Sequence, residues 1–129
     1  MHEYETTLRL GRTDSLGIAF YSSVFEIAHE CYESFLNIAA ILQEGRYIIP
    51  IVHAEADYRA PMELSDKITV EMRAGGRGKS SFTLEYTMTN QRSEVVAGVK
   101  TVHAVLDRNE RKPIEIPGYI GEKLSELSD

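Results

Sequence analysis

Residues 22–42 read SSVFEIAHECYESFLNIAAIL. Val24, Ile27, Ala28, Cys31, Phe35, Ile38 and Leu42 step along it by three and four, while Glu26, Glu30, Glu33 and Asn37 fall on the other side. That period belongs to an amphipathic helix with one apolar stripe. Ser22 or Ser23 offers an N-cap side chain at its start, and Gly45 is suited to end it. The spacing predicts one continuous helix of about 20 residues, roughly 30 Å long. One apolar stripe needs one apolar surface to lie on, and the rest of the chain has to provide it.

Segments of period two provide it on both sides. Before the helix, residues 4–10 set Tyr4, Thr6, Leu8 and Leu10 against Glu5, Thr7 and Arg9. After it, IVHAEADYRA (51–60) sets Val52, Ala54, Ala56, Tyr58 and Ala60 against His53, Glu55, Asp57 and Arg59, and Pro61 ends or bends that strand. KITVEM (67–72) places Ile68, Val70 and Met72 on one face, and AGGRGKS (74–80) reads as a glycine-rich turn. SFTLEYTMTN (81–90) alternates Phe82, Leu84, Tyr86 and Met88 with Thr83, Glu85, Thr87 and Thr89. EVVAGVKTVHAVL (94–106) is more uniformly apolar and suits a central strand. Pro113 and Pro117 break the chain before a short helix at 119–127. One strand, one long helix, four strands and a short helix predict an α+β fold: a five-stranded, mostly antiparallel sheet wrapped around one helix. With 129 residues, the expectation is a single domain over 1–129.

Composition narrows the function. The chain is 43% apolar and 26% charged, ordinary for a globular protein. A net charge of −6 argues against nucleic acid as a partner. No apolar run is long enough to span a bilayer, and MHEYETTLRL at the start lacks the basic and apolar regions of a secretory signal. A single cysteine, Cys31, rules out an internal disulfide framework and a cysteine-based metal cluster. The expectation is a cytoplasmic protein with no membrane partner.

Between the first strand and the helix lies GRTDSLGIAFYSS (11–23). Asp14 ahead of Ser-Leu-Gly suits an Asx turn that satisfies loop amides. It is also a carboxylate beside a helix start, where unpaired N–H groups and the helix dipole favour negative charge. Arg73, Arg77 and Lys79 cluster near the glycine-rich turn with Ser80 and Ser81 adjacent, a local basic patch on an acidic chain. Such a patch matches phosphate, or is a solvated hairpin with ordinary surface charges. Arg108, Arg111 and Lys112 form a second basic run, read as a solvated loop.

The stretch Asp14-Ser15-Leu16-Gly17-Ile18, followed by Phe20-Tyr21 and a helix carrying His29-Glu30-Cys31-Tyr32-Glu33, resembles the loop and helix of the 4-hydroxybenzoyl-CoA thioesterase family. Pro50-Ile51-Val52-His53-Ala54 and Tyr58-Arg59-Ala60-Pro61 with Asp66 look like its second-strand motif and following turn. Lys79-Ser80-Ser81-Phe82 is similar to its basic-Ser-Phe run, and Ile114-Glu115-Ile116-Pro117 to the lead into its last helix. Within the family, HECYES and PIVHA look most like the thioesterases acting on 1,4-dihydroxy-2-naphthoyl-CoA in quinone biosynthesis. Relatives acting on aliphatic acyl chains often carry His after the loop glycine. Ile18 stands there, which leans towards an aromatic acyl group.

The resemblance implies the hotdog fold and an acyl-CoA thioesterase, with 4-hydroxybenzoyl-CoA or another aryl or medium-chain acyl-CoA as alternative substrate. It makes Asp14 the attacking carboxylate or the base on a water, the Tyr21 backbone amide the oxyanion donor, and Gly17 a residue shaping the approach. It assigns the nucleotide end of coenzyme A to Arg73, Arg77, Lys79, Ser80 and Ser81. It further implies a homo-oligomer, a dimer of dimers, whose active site lies at the dimer interface. A non-catalytic acyl-CoA-binding hotdog protein is the reading from a different class.

Other residues carry less. His29, on the helix flank, is a candidate for contact with the acyl ring or its hydroxyls, or for a dehydratase acid–base pair, or is simply a packed helix histidine. Glu33 reads as a solvated helix carboxylate, and Cys31 on the stripe as small core packing. His53 and His103 sit on strands with no metal-ligand spacing between them. No nucleophile elbow and no cofactor motif are present, so neither metal nor cofactor is expected.

Overall fold

The computed structural model describes residues 1–127. Along the chain run β1 (His2–Thr7), a 3-10 turn (Leu10–Arg12), α1 (Ser23–Phe35), α2 (Ile38–Glu44), β2 (Tyr47–Ile48), β3 (Ile51–Tyr58), β4 (Lys67–Arg77), β5 (Ser81–Thr89), β6 (Val95–Ala104), β7 (Leu106–Asp107) and α3 (Gly118–Glu126). Five strands form one antiparallel sheet in the order β1-β4-β5-β6-β3, and β2 pairs with β7 as a separate ribbon. This is the hotdog architecture, and α1 is the helix the sheet wraps.

The register shows how alternation becomes a core. Val70 lies opposite Met88, and Met88 opposite Ala97; Met72 lies opposite Tyr86, and Tyr86 opposite Val99. All of them are buried, against Val24, Ile27, Ala28, Cys31 and Tyr32 of α1. On the outer face, Arg73, Glu85, Lys100 and Glu55 line up across four strands, alternating in sign. Opposite charges directly across a sheet are favourable and keep that face in water.

The expected single long helix is two. Leu36 adopts an extended backbone, and the Asn37 side chain starts α2 by accepting the Ala40 N–H at 3.1 Å. The Asn37 N–H in turn donates to the Tyr119 hydroxyl of α3. The break resets the helical phase: Ile41 is buried and Leu42, expected on the stripe, is 60% exposed. Gly45 does end α2, at φ 72°.

Two strand boundaries also differ. β1 stops at Thr7, not residue 10, because its partner β4 begins opposite it at Lys67; Leu8 stays buried while Leu10 is exposed. The glycine-rich segment is mostly strand: β4 runs through Ala74-Gly75-Gly76-Arg77 with a bulge, and the turn is only 78–80. Gly75 allows this, since a Cβ there would stand 3.0 Å from Thr83 Cγ2.

β3 is an edge strand that α1 leaves mostly exposed. Val52 is 61% and Tyr58 56% exposed, and the row of main-chain groups facing away from β6 has no strand beside it among the described residues. No helix among these residues is long and apolar enough to cross a membrane.

Candidate active site

The chain between β1 and α1 is held by its own backbone. The Asp14 N–H donates to Ile18 O at 2.8 Å and the Gly17 N–H to Asp14 O at 3.1 Å, closing a tight turn in which Gly17 takes φ 74°. Glycine is at home in that left-handed region. The Asp14 Oδ1 atom accepts the Leu16 and Ile18 N–H groups at 2.8 and 3.2 Å. The Asx-turn reading is therefore true of one carboxylate oxygen; Oδ2 receives no hydrogen bond from the described residues.

Arg12 ties this turn to the helix. Its carbonyl accepts the Phe20 N–H and the buried Ser23 hydroxyl, both at 2.8 Å. Its guanidinium grips Glu30 with two bonds of 2.8 and 3.0 Å and approaches Glu26 at 3.4 Å. The Arg12 hydrogen bond holds the Glu30 carboxyl below its usual range, and the Glu30 bond raises Arg12. Sequence reading assigned Glu30 to a solvated face. Only the tertiary fold brings it within reach of Arg12.

The Phe20 N–H to Arg12 O bond closes a cross-link, with Asp14 two residues inside it and Tyr21 one residue outside it. The Phe20 carbonyl accepts the Ser23 N–H, which directs the Tyr21 N–H away from the helix; that N–H has no partner among the described residues. The Tyr21 carbonyl accepts the Tyr58 hydroxyl. Further along the same loop, Ile18, Ala19 and Phe20 line an apolar cavity of about 320 Å³, with Val24, Tyr58, Met62 and Val96 among its other walls; Asp14 and Tyr21 are not themselves in the wall. That volume is at the small end of ligand pockets. His29 is exposed on α1, with its ring 5.6 Å from that of Tyr32, and is not part of the wall.

The basic residues are not brought together as their spacing suggested. Arg73 lies within β4 on the charged outer face, 3.5 Å from Glu71 and across from Glu85. Arg77, Lys79, Ser80 and Ser81 are at the β4–β5 turn, where Ser80 O accepts the Val105 N–H and Lys79 O the Ile116 N–H. This turn and the cavity sit at opposite ends of β6: Ala104 pairs with Ser81, whereas Val96 lines the cavity. Eight residues of strand separate them, about 27 Å.

The remaining candidates are structural. Cys31 is fully buried, and burial pushes its thiol up to about 12. His103 is buried against Phe82 and Tyr32, bonded to Thr101, and desolvation lowers it to about 4. His53 pairs with Glu55 on the exposed edge. No group of three His, Cys, Asp or Glu side chains gathers to hold a metal among the described residues.

A family model for the thioesterase-like superfamily matches residues 8–124. The chain is 28% identical to a 1,4-dihydroxy-2-naphthoyl-CoA hydrolase of Synechococcus elongatus, over 99% of this chain and 98% of that one. It is 31% identical to the enzyme of that name from Nostoc punctiforme, over 91% and 82%. Among solved structures, the 1,4-dihydroxy-2-naphthoyl-CoA thioesterase Slr0204 from Synechocystis superimposes with a TM-score of 0.91 at 25% identity, covering 99% of this chain and 98% of that one. A Staphylococcus aureus protein solved with CoA, SAV2348, shares the fold at TM-score 0.90 and 12% identity, over 98% and 82%. The chain belongs to the thioesterase-like superfamily of hotdog proteins.

Proposed function

We propose that this chain hydrolyses an aromatic acyl-CoA, with 1,4-dihydroxy-2-naphthoyl-CoA as its substrate. The observation that carries the reading is the cross-linked loop 12–23, which carries the Asp14 carboxylate and the unpartnered Tyr21 N–H and lines an apolar cavity with Ile18, Ala19 and Phe20. The names of the relatives over nearly the full chain support the acyl group. Ile18, in the cavity wall, supports an aryl ring there.

In this reading the thioester carbonyl points its oxygen at the Tyr21 N–H, and Gly17 keeps the turn tight enough for approach. Asp14 either adds to the carbonyl carbon, giving a mixed anhydride that water then cleaves, or takes a proton from the attacking water. Both routes expel coenzyme A as thiolate and yield the free acid. Label from labelled water appearing in the Asp14 carboxylate in a single turnover identifies the anhydride route with attack at Cγ, and trapping of an acyl-enzyme on rapid quench identifies it where water attacks the acyl carbon.

The basic turn with Arg77, Lys79, Ser80 and Ser81 stands about 27 Å along β6 from the cavity of the same chain, a long reach for one CoA. Antiparallel pairing of two β3 edges resolves this, because it sets the Tyr58 end of one strand beside the Ile51 end of the other. Ile51 neighbours His103 on β6, next to the basic turn. The functional unit is then a homodimer, assembled further as a dimer of dimers, with each site shared. His29 and Arg73 serve in this reading only if assembly brings them to the ligand. A CoA ester as substrate goes with a cytoplasmic location and with the whole chain, 1–129, acting as one domain.

A panel of acyl-CoA esters assayed by thiol release tests the function. Asp14→Asn is the decisive variant: Asn keeps an oxygen for the Leu16 and Ile18 N–H groups, so the turn survives and only the carboxylate is lost. The expected loss in kcat is about a hundredfold or more, alongside turnover of aryl esters by the native protein. Undiminished turnover by Asp14→Asn would reduce Asp14 to a turn former. CoA-ester binding without any turnover would favour an acyl-CoA-binding protein, a reading that the bonded Oδ1 atom also accommodates.

A further inference from the structure

We propose that the Tyr58 hydroxyl is a positioning residue for the oxyanion donor, holding the Tyr21 peptide from across the cavity. The inference rests on Tyr21 acting as that donor.

Two peptide groups flank the Tyr21 Cα. The one before it carries the Tyr21 N–H, and its carbonyl, that of Phe20, is held at 2.8 Å by the Ser23 N–H. The one after it presents the Tyr21 carbonyl, held by Tyr58 Oη at 2.5 Å. The first bond belongs to the helix start itself. The second comes from β3, 37 positions along the chain, and is the contact among the described residues that reaches this peptide from outside the turn. Ser22 makes no side-chain cap to the helix and the Ser23 hydroxyl is spent on Arg12 O, so among the described residues Tyr58 is the hydroxyl that donates to the Tyr21 carbonyl.

The Tyr21 side chain does not fix the turn either. It is 68% exposed, tilted against Phe20 with ring centroids 4.8 Å apart. Without Tyr58, rotation about Tyr21 is opposed by the bonds at Phe20, Ser22 and Ser23, all within the turn and the helix start. An oxyanion donor acts through preorganisation: it has to point at the developing charge before the reaction begins. A tyrosine anchor suits the task, since its ring is rigid and has only two side-chain torsions to lose. The same ring also forms cavity wall. Tyr58 therefore joins two functions that can be separated, since the ring shapes where the acyl group sits and the hydroxyl fixes where its oxygen is received.

Tyr58→Phe keeps the ring and removes the hydroxyl. The expected result is a kcat lowered about tenfold, part of the ~10²–10³ that losing one donor outright costs, with KM within about twofold and an unchanged thermal midpoint. Tyr58→Leu removes the ring as well, and KM for aryl-CoA should then rise. A Tyr58→Phe enzyme with native kcat overturns the proposal, as does one that changes only KM, or one whose kcat falls only together with its thermal midpoint. Native protein without turnover on any thioester sinks the reading of Tyr21 and this inference together; active native protein with an unaffected Tyr58→Phe sinks this inference alone.

Discussion

The two ends of β6 are built by different means. At the Val96 end, the loop 12–23 is stitched to itself, to α1 through Arg12 and to β3 through Tyr58, and it encloses apolar space. At the Ala104 end, the turn 78–80 is tied down by its main chain, through Ser80 O and Lys79 O, while its cations stand in water. A reacting carbonyl needs groups fixed within a fraction of an ångström, because misplacement costs rate steeply. A phosphate tail needs only charge within reach, and flexible side chains provide that. The rigid end is suited to chemistry and the looser end to capture.

If the two ends meet only across a dimer, they should complement one another between chains. Asp14→Asn and the double variant Arg77→Glu, Lys79→Glu should each be nearly inactive at low substrate. Co-assembled in equal amounts, they should recover roughly a quarter of native activity, because half the dimers carry one intact site. No recovery in verified mixed dimers would mean that each chain builds its site alone.

The looser end taken by itself should affect binding and leave the chemistry alone. Lys79→Glu is expected to raise KM for acyl-CoA about tenfold, the scale of one lost charge-assisted contact, with kcat little changed. Raising ionic strength should weaken the native enzyme in the same direction. A kcat effect without a KM effect would erase the division between the two ends.

The smallest expected effect concerns the core that joins them. His103 is neutral when folded, lowered to about 4 by desolvation and by nearby His29, while its unfolded value is near 6.5. The unfolded chain therefore binds the extra proton first, and the native state loses stability as pH falls from about 6.5 towards 4. Between pH 7 and 5 the loss from this group is about 2 kcal/mol. Denaturant titrations at the two values should show it, and His103→Gln should flatten the difference.

Much of this was legible in the sequence, in proportion to how local its cause is. Phe82, Leu84, Tyr86 and Met88 were read as one face and all four are buried. The loop around Asp14 was legible as a turn and, through its resemblance to a family, as a place for chemistry. The break at Leu36–Asn37 was not, because Asn37 fits the polar side of a continuous helix equally well. What decides is a cap on Ala40 and a hydroxyl from Tyr119, 82 positions away. Arg12, Glu30 and Tyr58 were given no role for the same reason. Each is an ordinary polar residue on its own element and acquires a role only when a distant one arrives. The separation of Arg73 from the basic turn was hidden by the bulge, since counting positions along a strand presumes an unbroken pleat.

That bulge also decides which way a charge points. In an uninterrupted pairing, Arg77 would lie opposite Ser81; with the extra residue it lies opposite Phe82, whose side chain is in the core, and its guanidinium reaches the Gly121 carbonyl of α3. Side chains alternate between faces with a period of two, so it is the extra residue at Gly75-Gly76 that puts Arg77 on the Phe82 side of the sheet rather than the Ser81 side. One residue inserted into a ladder thus decides which face of the sheet receives a cation.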